Sequence, residues 1–352
     1  MRPRSALARR FHLQPSRGQG MRVGIVGVGR IGQYHARVVR DHPDVASIVV
    51  TDADPARAAQ VAAELGAETA PGVERLLESV DAVVIASSTD THAALIHATV
   101  EAGLPAFCEK PIALDLASAS EVVRHVRGAG ALVQVGFQRR FDVGYAAARE
   151  AVRDGTLGKV YVVRIAGHDA VPPHESYIPG SGGIFRDLHI HDFDIARWVL
   201  GQEIEEVYAT GAVLCDPMFA KYGDVDTTAA TISFSGGTLG VVTGARHDAR
   251  GYDVRMELFG SGDTVAVGWD ARTPLRSVEP GMPPGPARPY DSFLDRFDAA
   301  YRSELNAFVD VARGYTPNPC TVDDAEIALK VALACERSRR ERRPVGVTEI
   351  RE

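Results

Sequence analysis

Apolar positions along the chain follow two rhythms that change near residue 141. From Met21 short apolar runs, expected as strands, fall at Arg22–Val26, Ser47–Thr51, Asp81–Ala86, Pro105–Cys108 and Ala131–Val135. Between them the apolar period lengthens to that of helices, at Gln33–Arg40, Pro55–Leu65, Val73–Ser79, Ala93–Ala102 and Ser118–Arg127. This alternation predicts a parallel, doubly wound sheet. After Phe141 a single helix, Tyr145–Asp154, gives way to β-rich runs at Val160–Ile165, Glu205–Leu214, Thr227–Phe234, Thr238–Ala245, Val254–Phe259 and Thr264–Trp269. Ser235-Gly236-Gly237 and Ser261-Gly262-Asp263 join neighbouring runs as hairpins. The fold class is therefore read as α/β, with an N-terminal dinucleotide-binding type of domain over residues 21–140. An α+β domain with a large, mostly antiparallel open sheet follows over residues 141–352, its C-terminal helix free to pack back on the first domain.

Among these β-rich runs lies a stretch with helical spacing. In Gly182–Trp198, a step of 100° per residue puts Ile184, Leu188, Ile195, Trp198 and Val199 on one side of a helix opened by two glycines. The same side carries Asp187 and His191, four residues apart and so neighbours one turn from each other. Polar groups on a buried face cost free energy unless they are paired. Three accounts fit: a satisfied core pair, an acid/base histidine oriented by a carboxylate, or a metal site suggested by His189-x-His191-Asp192-x-Asp194. In a helix His189 lies nearly opposite His191, so the two cannot share an ion, and only an extended segment would revive the metal.

The first strand runs into Gly27-Val28-Gly29-Arg30-Ile31-Gly32, a G-x-G-x-x-G spacing, and a helix follows. Strand before, helix after, and a second strand ending in Asp52 are the context in which these glycines admit a pyrophosphate to a helix N-terminus. This is a Rossmann arrangement. Asp52 would accept from the adenosine ribose hydroxyls; a carboxylate repels a 2′-phosphate and Ala53 follows it, so NAD is favoured over NADP. Ligands of open α/β sheets bind at strand carboxyl ends. That places Ser87, Ser88, Thr89 and His92, and also Glu109 and Lys110 before Pro111, with Arg30 and Ile31 in the cofactor set. Lys110 is either solvated or meets cofactor and substrate.

Composition narrows the classes. The 352 residues are 45% hydrophobic and 24% charged, enough for two sizeable cores. A net charge of −7 lacks the basic footprint of a nucleic-acid binder, and no apolar run is long enough for a membrane span. Cys108, Cys215, Cys320 and Cys335 are scattered without a C-x-x-C, which fits a reducing cytoplasm. Residues 1–20, Arg-rich and free of acid, are read as a disordered tail without function. A Pro/Gly-rich loop spans Thr273–Pro289 and lies near a subunit interface on this reading. Phe293, Phe297, Tyr301 and Leu305 then mark one face of a helix, and Asp323–Arg339 is a last helix.

Together the glycine fingerprint, Glu109-Lys110-Pro111, the exit Gln134-Val135-Gly136-Phe137-Gln138-Arg139-Arg140-Phe141 and the Gly182–Trp198 stretch resemble the glucose-fructose oxidoreductase/inositol dehydrogenase/MocA family. Asp295-Arg296-Phe297 and Ala300-Tyr301 are similar to its inositol 2-dehydrogenase branch. The resemblance implies a catalytic trio on Lys110, Asp187 and His191, NAD held by Gly27, Gly29, Gly32 and Asp52, and substrate contacts on Gln138, Arg139, His168 and Tyr252 as well as Asp187 and His191. It implies oxidation of a secondary hydroxyl of a cyclic polyol or sugar, myo-inositol first, without a metal, in a cytoplasmic homo-oligomer, dimer or tetramer, formed through the C-terminal sheet. Gln138 stands where the myo-inositol enzymes have Met, and Ala170 where they have Asn. scyllo-Inositol, an anhydrosugar such as levoglucosan, or an aldose are the alternative substrates. A sugar- or NAD-sensing protein without turnover is the alternative of another class.

Overall fold

The computed structural model describes residues 20–352. Apart from Gly20, the tail read at residues 1–20 lies outside the described residues. The chain forms two compact units: one runs to Phe137 and takes in Tyr301–Glu326, the other comprises Gln138–Ala300 and Ile327–Glu352.

In the first unit, β1 (Met21–Val26), α1 (Arg30–Arg40), β2 (Val45–Thr51), α2 (Pro55–Leu65), β3 (Glu68–Thr69), α3 (Val73–Leu77), β4 (Ala82–Ile85), α4 (Thr89–Glu101), β5 (Ala106–Glu109), α5 (Leu116–Ala129) and β6 (Val133–Gly136) alternate as expected. The strands make one parallel sheet in the order β3-β2-β1-β4-β5-β6. Local sequence sets the helix ends. Asp54 caps α2 through the N–H groups of Ala56 and Arg57 with Pro55 in the first turn, and Gly66 closes it in the left-handed conformation. Asp115 and Gly130 do the same for α5.

The second unit holds α6 (Val143–Arg153), β7 (Val160–His168), α7 (Ile178–Ser181), α8 (Ile184–Asp187), α9 (Ile190–Leu200), β8 (Ile204–Ala212), β9 (Thr227–Phe234), β10 (Leu239–Ala245), β11 (Asp253–Gly260) and β12 (Thr264–Val267). It also holds the start of α10 (Phe293–Ala312), most of α11 (Val322–Glu341) and β13 (Val345–Gly346). Its sheet runs β12-β11-β7-β10-β9-β8-β13, antiparallel except for the β7–β10 pair. Alternate residues face opposite sides. Val163, Ile165, Ile232, Val242, Met256 and Leu258 are buried on the inner face. The registers put Val162, Leu239, Val241, Tyr208 and Phe259 on the outer face, beside the Arg164–Glu257 ion pair.

Two expectations are corrected. The stretch read as one helix over Gly182–Trp198 is interrupted: Gly182 and Gly183 take positive φ of 80° and 90°, α8 ends at Asp187, and His189 N–H reaches back five residues to Ile184 O. The helix marked by Phe293, Phe297, Tyr301 and Leu305 kinks at Phe297 (φ −117°, ψ 18°). From Tyr301 its residues belong to the first unit, where Leu305, Phe308 and Val309 join the core of Val23, Ile25, Val50, Val84 and Phe107. Order along the chain alone would place 301–326 in the second domain. Burial of the Leu305/Phe308/Val309 face against the parallel sheet decides otherwise.

Candidate active site

Three glycines of the β1–α1 turn are needed for three different reasons. Gly27 has φ +88°, and a Cβ there would lie 2.6 Å from the backbone of Ser87. A Cβ on Gly32 would lie 2.0 Å from Gly27 O, so the first turn of α1 packs directly on the strand end. Gly29, the N-cap of α1, has nothing within 4 Å of such a Cβ. Its open side adjoins the first-turn N–H groups of Arg30 and Ile31, a cradle that a diphosphate fits and a side chain would fill.

Asp52 follows β2 and is braced to this turn: its Oδ2 accepts from Val28 N–H (2.7 Å) and its Oδ1 from Asp54 N–H (2.9 Å). Arg57, which the sequence did not single out, stands 3.4 Å from Asp52 Oδ1. Ser87, Ser88 and Thr89 form the turn into α4, with Ser87 Oγ 2.7 Å from Thr91 Oγ1.

Two of the expected cofactor residues have internal partners. His92 is buried, with Nδ1 2.8 Å from Pro111 O and Nε2 3.1 Å from Ser87 O, so it clips the Lys110-Pro111 segment to the β4–α4 turn. Burial holds its pKa below the ordinary histidine value against the pull of those two carbonyls. Glu109 lies 2.5 Å from the buried His35 of α1. Both flank Lys110, which follows β5 in a cis peptide bond to Pro111.

In the second unit the interrupted helix is held by buried charge. Asp192 forms an ion pair with Arg139 and accepts from His189 Nδ1 (2.7 Å), while His189 Nε2 lies 2.6 Å from Thr228 Oγ1. Burial works against the Asp192 charge, but Arg139 and His189 outweigh it and leave the carboxyl below its usual range. Arg140 pairs with Asp194 at 2.8 and 2.5 Å. The sheet makes room with glycines: a Cβ on Gly244 would lie 2.4 Å from the His189 ring, and one on Gly167 3.2 Å from Asp192. The crowded histidine–aspartate motif therefore has protein partners for His189, Asp192 and Asp194, and the metal account of it is withdrawn. Arg139, expected at the substrate, is buried with its charge committed to Asp192.

Asp187, at the end of α8, accepts from Tyr177 O–H (2.8 Å) through Oδ1 and from Arg246 Nη2 (2.8 Å) through Oδ2. Arg246 also reaches Asp169 (3.2 Å). Asp187 and His191 thus belong to separate short helices, α8 and α9, rather than to one face of a continuous helix. Tyr252 lies inside the unit with its ring edge-on to Phe297, and burial pushes its phenol well up despite Arg139. Gln138 is buried, and its Oε1 has no hydrogen-bond partner among the described residues.

His168 is the last residue of β7. It is paired with Ala245 and Asp253 across the sheet, and strand alternation turns it away from its neighbour Asp169, which points to Arg246 and Asp187. His168 Nδ1 lies 3.5 Å from Asp248 and Nε2 3.4 Å from Thr243 Oγ1. His168, Asp248 and Asp253 come near enough to share an ion. Arg255, however, binds Asp253 at 2.7 and 3.1 Å and supplies the positive charge there. Tyr177, Asp169, Arg246 and His35 stand in no motif of the sequence. Arg246 is 59 positions from Asp187, and no local pattern links them.

Residues 21–137 match the model of an oxidoreductase family with an NAD-binding Rossmann fold, and residues 145–266 match the GFO/IDH/MocA C-terminal domain. A myo-inositol 2-dehydrogenase of Thermotoga maritima is 37% identical over 94% of this chain and 99% of its own. The chain belongs to the GFO/IDH/MocA family. A further relative in this family is a scyllo-inositol 2-dehydrogenase (NAD(+)) of Bacillus subtilis, 37% identical over 92% of this chain and 96% of its own. The structure of scyllo-inositol dehydrogenase from Lactobacillus casei with bound NAD(H) and scyllo-inositol matches with a TM-score of 0.86 at 28% identity. It covers 94% of this chain and all of that one. As a GFO/IDH/MocA member the chain is an NAD-binding oxidoreductase, and Gly27, Gly29, Gly32 and Asp52 form a cradle that fits that cofactor.

Proposed function

We propose that the chain is an NAD-dependent dehydrogenase that oxidises one secondary hydroxyl of a cyclic polyol, myo-inositol giving 2-keto-inositol. The observation that carries this is the fixed Asp187 carboxylate four residues before His191, in a chain whose relatives are inositol dehydrogenases. His191 accepts the hydroxyl proton as the carbon is oxidised, and returns it in the reverse direction. Asp187 orients His191 and favours its imidazolium. Lys110 donates to the reacting oxygen and stabilises alkoxide character; such donors contribute roughly 10²–10³ in rate. NAD supplies the hydride acceptor when bound. Asp52 favours NAD over NADP by repelling a 2′-phosphate.

Gln138 Oε1 is buried with no hydrogen-bond partner among the described residues, so it can accept from a hydroxyl of any of the candidate rings and does not choose among them. scyllo-Inositol, levoglucosan and aldoses therefore belong in the assay beside myo-inositol. Reduction of NAD and of NADP with each compound tests the reading: turnover of an inositol with NAD supports it, turnover of another sugar alone moves the substrate, and silence across the panel with NAD still bound overturns it.

The outer sheet face supports assembly. Leu239 is 56% exposed and lies beside Val162 and near Val241, with Tyr208 across β9 on the same face, an area that self-association would cover. We place the protein in an inositol-degrading role as a dimer or tetramer, and in the cytoplasm, a compartment whose reducing conditions suit four free cysteines.

A further inference from the structure

We infer that Tyr177 and Arg246 are positioning residues that fix the Asp187 carboxylate and thereby set the proton affinity of His191; this rests on the acid/base reading of His191 given above. Each oxygen of Asp187 has its own donor, a neutral phenol on Oδ1 and a guanidinium on Oδ2, both at 2.8 Å. The two donors come from different places in the chain, Tyr177 from the short turn before α7 and Arg246 from the residue after β10. They hold the carboxylate from two directions, which an interrupted helix of four residues cannot do alone.

Half of the Tyr177 surface is exposed, while its hydroxyl is turned to Asp187, and burial together with that carboxylate pushes the phenol well above its usual range. Arg246 is different: it is buried and shared between Asp169 and Asp187, one cation for two carboxylates. Tyr177 and Arg246 bind Asp187 directly, and Arg246 brings Asp169 to the same cluster. Behind them, on α9 and the segment before α6, stand His189, Asp192 and Arg139 as one paired network. Hydrogen bonds to a carboxylate stabilise its charge and reduce its pull on a neighbouring proton. With Tyr177 removed, Asp187 draws more strongly on the imidazolium of His191 and raises its pKa.

The test is an NMR titration of the His191 ring in the full chain without substrate, its signal assigned by its loss in His191→Ala. Tyr177→Phe is expected to raise the midpoint by about 0.5 pH unit, the equivalent of a large share of one net hydrogen bond. Arg246→Gln raises it further, and Arg246→Lys, which keeps the cation, stays nearer the wild type than Arg246→Gln does. In turnover, the acid limb of kcat/KM moves in the same direction in Tyr177→Phe while KM for NAD is unchanged. A Tyr177→Phe midpoint equal to that of the wild type overturns the inference, even if rate or stability falls, because a purely structural tyrosine would behave so. If Arg246→Gln does not fold, Tyr177→Phe decides alone. Failure of the dehydrogenase reading shows separately, as absence of wild-type turnover, and does not enter the titration.

Discussion

Lys110 and His191 differ in how they are held, and the difference sets what their loss should do. Lys110 follows a strand whose last residue, Glu109, is tied to His35, and precedes a proline carbonyl tied to His92. Alanine at Lys110 or His191 should therefore leave the fold and NAD affinity in place while lowering kcat by about 10²–10⁴. Near-wild-type turnover in either variant, measured with saturating NAD, removes that residue from the mechanism. His92 makes a prediction about pH. Its folded pKa lies below the ordinary value of 6.5 because burial disfavours the cation, so the unfolded chain binds the proton more readily. Its contribution to stability is present above pH 6.5 and is lost as pH falls below it. The melting temperature of the wild type should drop on acidification by more than that of His92→Gln; equal drops would show that His92 is not the group responsible.

At the scale of elements, the glycines separate folding from binding. Gly29 and Gly244 both lie where a backbone end meets something, but a Cβ on Gly29 meets open space and one on Gly244 meets the His189 ring at 2.4 Å. Gly29→Ala should keep the wild-type melting temperature and weaken NAD binding, read by calorimetric titration. Gly244→Ala should cost about 1–3 kcal/mol in a denaturant titration, as overpacking does, because the ring it strikes is anchored at both nitrogens. Reversal of the two phenotypes would refute the assignment of Gly29 to the cofactor cradle. The same anchoring explains why α8 and α9 are two helices. The apolar period of Ile184, Leu188, Ile195 and Val199 was legible and those side chains are buried. The break was not, since it depends on Thr228 and Asp192 capturing His189, and Thr228 lies on a strand 39 positions away.

For the whole molecule, the outer face of the second sheet is where solution measurements decide assembly. Tyr208, Val241 and Leu239 are each more than a third exposed on one face, in rows set by strand register. Glutamate at both Leu239 and Val241 should lower the mass measured by light scattering to that of a smaller assembly or the monomer, with the fold retained by circular dichroism. An unchanged mass would place the interface elsewhere.

The sequence by itself determined the strand–helix alternation of the first sheet, the two sheet types and the glycine turn with Asp52. These are local matters, carried by period, capping residues and turn chemistry within a few residues of one another. Tertiary structure decided which polar groups meet. It gave Glu109 to His35 and Asp192 to Arg139, put Tyr177 and Arg246 on Asp187, turned His168 to the outer side of the sheet, and returned Leu305, Phe308 and Val309 to the first unit's core. A buried charge takes whichever partner the packing of distant segments brings within reach, and the linear order of residues carries no record of that distance.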